Sequence, residues 1–485
     1  MAFRSQRIVS AFLGSGVTVG LRAVVALVAF VVIVHWTTGD ELAVYGIVSF
    51  FWSIIFASCQ NLAAQPLIDM KRVRADDVAS ARLLAFLVAV GFGGIIYLFS
   101  DTLAGLYPDI DNLAVGLRML LVLGPLSVIG GIDFSLMQRQ MKFSALARLQ
   151  TASIVLSSLL SIVLAVYVDT VLGLLCIQGL NGLLFSALVF LFRRGVALSG
   201  RPTLTAMRRT VTIGRHLVFE GNLAVFVIQG PVLLFGLILS AEQVSLYVIL
   251  SRFIQLIASQ LGRVANMVLL PLVRRAANMS DQLHQTVLIS SFFSNGLAVT
   301  PLLIFFAMPE ILLRLLNAPV NGYAVQVLML LVFKQILDTA GNTVFSTFRA
   351  VGRPDAGWKW SLFFSFLWVA ISGIAWLLDL DLLAICAIVA TTGFLSLGAV
   401  GWLCRTIGLK PRRYFAYMRP VYLLVVFSLV LSVAIRLGLT TAGVSGPFAE
   451  LMAGAICGLV YAGMMGRWFL AYRSEPGSAF SRKEP

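Results

Sequence analysis

Residues 38 to 74 read TGDELAVYGIVSFFWSIIFASCQNLAAQPLIDMKRVR. Two acids, Asp40 and Glu41, stand at one end, an apolar run fills positions 42 to 68, and the cations Lys71, Arg72 and Arg74 follow. A bilayer core takes roughly 20 helical residues, so the run is long enough to cross it. Basic flanks stay in the cytoplasm, so the charges also set its direction. The rest of the chain repeats this design. Of 485 residues, 59% are hydrophobic and 12% charged, where a soluble domain carries about a quarter charged. That excludes a soluble enzyme, and the apolar residues would fill roughly fourteen spans.

Spans are predicted at 8 to 36, 42 to 68, 80 to 100, 113 to 137, 146 to 167, 171 to 192, 216 to 239, 244 to 273, 285 to 307, 320 to 348, 358 to 378, 382 to 404, 420 to 438 and 447 to 466. Fourteen spans put both termini on one side. With the N terminus cytoplasmic, the inner segments hold 29 of the 36 basic residues, while Asp101, Asp109, Asp111, Asp169, Glu242, Glu310, Asp379 and Asp381 fall on the other side beside Arg314. One span more or fewer would scramble this alternation. The formal charge of +15 therefore reads as topology rather than nucleic-acid binding. Arg4 and Arg7 precede a first apolar stretch too long for a signal-peptide core, so it is expected to remain as a span.

The outer loops are short. Two inner segments, 194 to 215 and 405 to 419, are longer and basic. Leu204, Met207 and Val211 recur at i, i+3 and i+7 beside Arg208 and Arg209, the pattern of a helix on an anionic membrane surface or of a plain basic linker.

An internal repeat organises the spans. At an offset of 202, Asp40-Glu41 and Tyr45 face Glu242-Gln243 and Tyr247, and Ile47, Ser49, Phe51 and Ile55 recur as Ile249, Ser251, Phe253 and Ile257. At an offset of 210, Met119 to Val122 recur as Met329 to Val332, Gly131 as Gly341, and Arg139 as Arg349. Both matches lie six spans apart. They predict an all-α fold of two six-helix lobes, residues 1 to 193 and 216 to 404, related by a pseudo-twofold along the membrane normal and enclosing a central cavity. Residues 420 to 466 add two helices, and 467 to 485 form a cytoplasmic tail. Gly454 and Gly458 in the last span have the spacing of a packing face.

Charges inside spans are costly unless they face a cavity or a partner, which makes them the site candidates. In the eighth span Arg252, Gln255, Ser259, Arg263 and Asn266 fall within a stripe about 80° wide. The two arginines lie about 16 Å apart along the axis. The first span carries Arg22 with Thr18 and Ser15 on the same face. The tenth carries Lys334 and Asp338, spaced i, i+4 as an ion pair or a coupling group, with Gln335, Asn342 and Arg349 on their face. Glu220, a turn after His216, is either a coupling carboxylate or half of an ion pair with His216 or another base. Asp133 lies near Arg139.

Cys59, Cys176, Cys386, Cys404 and Cys457 are single, and His35, His216 and His284 are far apart. No metal site is expected. Gly14-Ser15-Gly16 lacks the strand-turn-helix setting of a nucleotide loop or a hydrolase elbow, and no nucleophile-base pair appears. No cofactor is expected either.

The stretch from Tyr247 to Ala276, with Arg252, Gly262-Arg263 and Pro271-Leu272 ahead of Arg274, resembles the eighth helix of bacterial polysaccharide transporters. Gly39-Asp40-Glu41, Tyr45-Gly46 and the run from Met137 to Phe143 are similar to their lipopolysaccharide and exopolysaccharide branch, within the multidrug, oligosaccharidyl-lipid and polysaccharide exporter superfamily. The resemblance implies a flippase of the bacterial cytoplasmic membrane, not an enzyme, that carries an undecaprenyl-diphosphate-linked oligosaccharide outward. Its partners would be membrane lipids and other polysaccharide-assembly proteins. It implies cavity cations at Arg22, Arg252 and Arg263, with Ser15, Thr18, Gln255, Ser259 and Asn266 as polar lining. Helix 2 departs from a cationic lining, since Phe50 stands where Arg252 stands in the repeat. An ion-coupled multidrug exporter would want an acidic cavity instead. A membrane polymerase or ligase would want a large outer loop.

Overall fold

The computed structural model describes residues 21–474, apart from residues 23, 71, 141, 193–199, 277–279, 342, 343, 345, 346, 349, 350, 352, 353, 443 and 445. The described residues are helices and connectors, with no strand among them. Thirteen of these helices are long and apolar enough to cross a membrane. A shorter one, α1 at Val24–Val34, coincides with the first expected span, whose residues 8 to 20 lie outside the described part. The described residues pack as two compact units, one of Leu21–Ile249 and Trp358–Leu382, the other of Leu250–Gly357 and 383–474.

The first unit contains α1, α2 (Gly39–Cys59), α3 (Ala75–Leu98), α4 (Leu113–Arg139), α5 (Phe143–Tyr167), α6 (Thr170–Leu191) and α7 (Leu204–Phe235). The start of α8 (Ala241–Ala276) and most of α11 (Pro354–Leu377) also belong to it. Short polar residues place the helix starts, because their side chains satisfy orphan N–H groups. Thr38 accepts from Glu41 N while Glu41 reaches back to Thr38 N at 2.7 Å. Asp169 accepts from Leu172 N at 2.7 Å to open α6, and Thr203 accepts from Ala206 N to open α7.

Thr203 makes a difference to the reading of the linker. Residues 204 to 215 are the first turns of α7 itself, continuous with the span, and the segment before them is docked. Thr203 N donates to Ser80 Oγ at 3.0 Å, Arg201 N donates to Asp76 at 3.1 Å, and Arg209 pairs with the buried Asp77 at 3.6 Å. The acids at the start of α3 thus hold the basic linker.

Lipid is as apolar as a helix surface, so helices associate through close packing and small residues rather than burial. Glycines mark the tightest contacts. A methyl group on Gly182 of α6 would sit 2.0 Å from Ser127 O of α4, and one on Gly179 would strike the Trp52 ring of α2. Gly214 and Gly221 give α2 the same access to α7 at Leu62 and Asn61. There α2 passes through a π-helical turn, Gln60–Ala64, before a last short helix, Gln65–Asp69. Packing therefore groups α7 and α11 with the first six helices, whereas the repeat groups them by sequence with the later ones.

Outside the spans, the Tyr107 hydroxyl donates to Leu233 O at 3.1 Å, and burial pushes its pKa up. It remains a neutral donor at any physiological pH, pinning the connector before α4 against the end of α7.

The second unit contains the rest of α8, then α9 (Ser280–Ala307), a short helix Pro309–Leu315, α10 (Gly322–Thr339), α12 (Leu382–Thr406), α13 (Pro411–Thr441) and α14 (Gly446–Ser474). Asn321 opens α10 by accepting from Ala324 N at 2.8 Å. Helix α10 ends at Thr339 with a turn at residues 340 and 341, and residues 344, 347 and 348 are again helical, within the expected span to 348.

The orientation expected from loop charge is open to labelling. Leu106 is 56% and Leu204 83% exposed, while the five native cysteines are all buried. A cysteine at 106 should react with an impermeant maleimide in intact cells, and one at 204 only after permeabilisation. The reverse pattern would overturn the orientation.

Candidate functional site

Arg22 follows a single described helical residue and precedes α1, and its guanidinium is directed at α5. Nε donates to Thr151 Oγ1 at 3.2 Å, Nη2 donates to Ala147 O at 3.0 Å, and Nη1 bonds Gln150 Oε1. Ala147, Gln150 and Thr151 stand at i, i+3 and i+4, one face of a helix. The residue is 6% exposed. Its charge is thus held inside the first unit by neutral dipoles. Ser15 and Thr18 lie outside the described residues.

Arg252 lies in the second unit's part of α8 and is 7% exposed. Beside it Phe253 is buried against Phe305 of α9, ring centroids 5.0 Å apart, and Gln255 is half-buried. The helix continues unbroken through Ser259, Arg263 and Asn266 to Ala276, which keeps the five polar residues in helical register. The side chains of Ser259, Arg263 and Asn266 are outside the described set.

In the same unit the structure brings Lys334 and Asp338 together as an i, i+4 ion pair, each side chain about a fifth exposed. Ser396 of α12 donates to the other carboxylate oxygen of Asp338 at 2.8 Å. One carboxylate therefore ties a cation on its own helix to a hydroxyl on the next. Removing the cation strands a charge in an apolar setting, at a cost of about 3 kcal/mol. Lys334→Ala should accordingly lower the amount of folded protein recovered from membranes several-fold. Lys334→Ala with Asp338→Asn should restore it, and an unrescued double variant would show that Lys334 acts apart from Asp338.

Glu220 is 5% exposed on α7, next to Gly221, whose hydrogen faces Asn61 in the π-helical turn. The neighbouring His216 accepts from Arg215 Nε at 3.2 Å. A neutral polar seam extends from there: Ser58 with Asn222 and Ser53 with Gln229 exchange hydrogen bonds across α2 and α7 at 2.8 to 3.2 Å.

Asp133 does not turn to Arg139. It takes Arg82 of α3 at 2.7 Å and Ser186 of α6 at 2.6 Å. Arg139 instead gathers the carbonyls of Leu67, Ile68 and Met70. The reason is the helix end: Gln65–Asp69 leaves C-terminal carbonyls without intrahelical partners, and a cation there complements the dipole. Two further arginines within apolar helices also find acids through the fold. Arg118 of α4 binds both oxygens of Asp101 at 2.7 and 2.6 Å. Arg436 near the end of α13 meets Glu310 and Glu450. Single residues in long apolar runs give no sequence signal of such partners.

Among the described residues no group of three or more His, Cys, Asp or Glu side chains could hold a metal ion. Buried, engaged charges on a bundle of spanning helices define a polytopic α-helical membrane protein. Solved structures share its fold. The lipid II flippase MurJ in an inward closed conformation superposes with a TM-score of 0.68 at 13% identity, covering 94% of this chain and all of that one. The eukaryotic transporter AtDTX14 gives 0.60 at 15% identity, covering 87% and 99%. A MOP superfamily transporter from Pyrococcus furiosus, described by the reverse polarity of its binding pocket, gives 0.53 at 15% identity over 82% and 95%. No curated protein matches the sequence. Residues 38–318 match the polysaccharide biosynthesis protein family, more than half of the chain, and the chain belongs to that family.

Proposed function

We propose that this protein translocates a polyprenyl-diphosphate-linked oligosaccharide repeat unit across the bacterial cytoplasmic membrane for surface polysaccharide assembly. Family membership carries this reading: a polysaccharide biosynthesis protein built on the fold of a lipid-linked precursor flippase. The buried cations supply the chemistry. Arg252 and, about three turns further along the same face of α8, Arg263 receive the diphosphate in a cationic cavity, with Gln255, Ser259 and Asn266 offering hydrogen bonds to sugar hydroxyls. Arg22, Ser15 and Thr18 contribute from the first helix. A guanidinium binds an anionic diphosphate through paired, charge-assisted hydrogen bonds. Glu220 and the Lys334–Asp338 pair are the groups through which an ion gradient would couple. Both termini are cytoplasmic, so loading occurs from the inner leaflet and release follows by alternating access.

Purified protein should retain a labelled undecaprenyl-diphosphate oligosaccharide and release it to excess unlabelled lipid, while lipophilic cationic dyes fail to compete. Capture of the dyes with no retention of the lipid-linked sugar would favour a multidrug exporter. Elongation of the sugar by the purified protein would favour a polymerase.

A further inference from the structure

The last two helices are fastened to α9 at its middle and at its C-terminal end. Near its C-terminal end α9 stops at Met308, a non-helical residue (φ −127°, ψ 52°), before the short helix Pro309–Leu315 begins. Methionine has no side-chain oxygen to cap that helix, and the first N–H groups of a helix need acceptors. Glu450 of α14 supplies them. Its carboxylate accepts from Glu310 N at 3.0 Å and Ile311 N at 3.1 Å, and its side chain is 0% exposed. Arg436 of α13 closes the cluster, with Nη2 3.1 Å from Glu310 and 3.3 Å from Glu450. Two carboxylates on one guanidinium leave a net negative charge, which the helix N-terminus offsets.

Glycines bring the backbones close enough for this. Gly454 leaves room for the Met308 side chain, and Gly458 for Ile304. At the middle of α9, Phe292 lies between Tyr417 of α13 and Trp468 of α14, centroids 5.9 and 5.7 Å away, and Gly296 admits Met465.

We propose that α13 and α14 form a splint: through Glu450 and Arg436 they set the Met308 joint, so that α9, Pro309–Leu315, α13 and α14 move as one body. The splint is separate from the cation stripe and requires no ligand. Hydrogen exchange of the full-length protein in detergent tests it. Glu450→Ala should raise exchange of the amides at 310 to 316 at least tenfold and leave α5 and α6 unchanged. Unchanged exchange at 310 to 316 would overturn the proposal. If that variant does not fold, Met308→Cys with Gly454→Cys keeps it testable. The pair should form a disulfide in near-quantitative yield, and cells carrying the oxidised protein should export polysaccharide as well as cells carrying the reduced one. No disulfide, or export lost on oxidation and regained on reduction, would refute the single body. The export readout rests on the transport reading; exchange and cross-linking do not, so the two failures are distinguishable.

Discussion

Arg252→Ala is expected to cut surface polysaccharide export at least thirtyfold at equal protein level in the membrane. The residue is buried on α8, and a charge kept there is costly unless it has a task. Loss of a charge-assisted, two-pronged contact to diphosphate corresponds to about 2 kcal/mol. Lysine presents a point charge in place of the planar fork, so Arg252→Lys should recover only part of the activity. Release outside requires the attraction to weaken, which access of water provides by raising the local dielectric. Arg22→Ala should behave differently. Its guanidinium already binds three groups on α5, so the variant should lower thermal stability as well as export, leaving the Gln150 side chain without its donor. Wild-type export from Arg252→Ala would end the cationic mechanism.

Gly182→Ala is expected to disable folding of the first unit. The added methyl would lie 2.0 Å from Ser127 O and 2.8 Å from Ser127 C, and the reciprocal position on Gly130 is 2.4 Å from Gly182 O. Backbone atoms cannot swing aside as a side-chain tip can, so α4 and α6 must separate along their contact. Overpacking of this kind costs about 3 kcal/mol. In a membrane no hydrophobic gain compensates, because helices cohere through the close packing that the methyl destroys. The unfolding midpoint of purified protein in detergent should fall by several degrees, or the variant should not accumulate. Gly91→Ala is the control: nothing lies within 4 Å of its added methyl, and alanine favours helix by about 1 kcal/mol over glycine. A Gly182→Ala protein as stable as the wild type would mean that α4 and α6 do not touch there.

Charges settled by their neighbours in space divide what was legible from what was not. The sequence by itself determined where the chain enters and leaves an apolar phase. Transfer of a run such as 42 to 68 from water depends on composition alone, and it ends where Asp40, Glu41 and Lys71 to Arg74 cannot follow. The capping box of Thr38 and Glu41, though local, opens the helix at Gly39, before the expected 42. The Lys334–Asp338 pair was legible, being one turn apart. Only the tertiary structure decided which helix faces which. Lipid and protein interior are equally apolar, so outside the eighth and tenth spans no polar stripe marks the buried side. Hence Asp133 chose Arg82 over the nearer Arg139, Arg139 went to the open carbonyls of Leu67 to Met70, and Glu450 capped a helix 140 residues away. Each choice depends on an approach between helices that no single span contains.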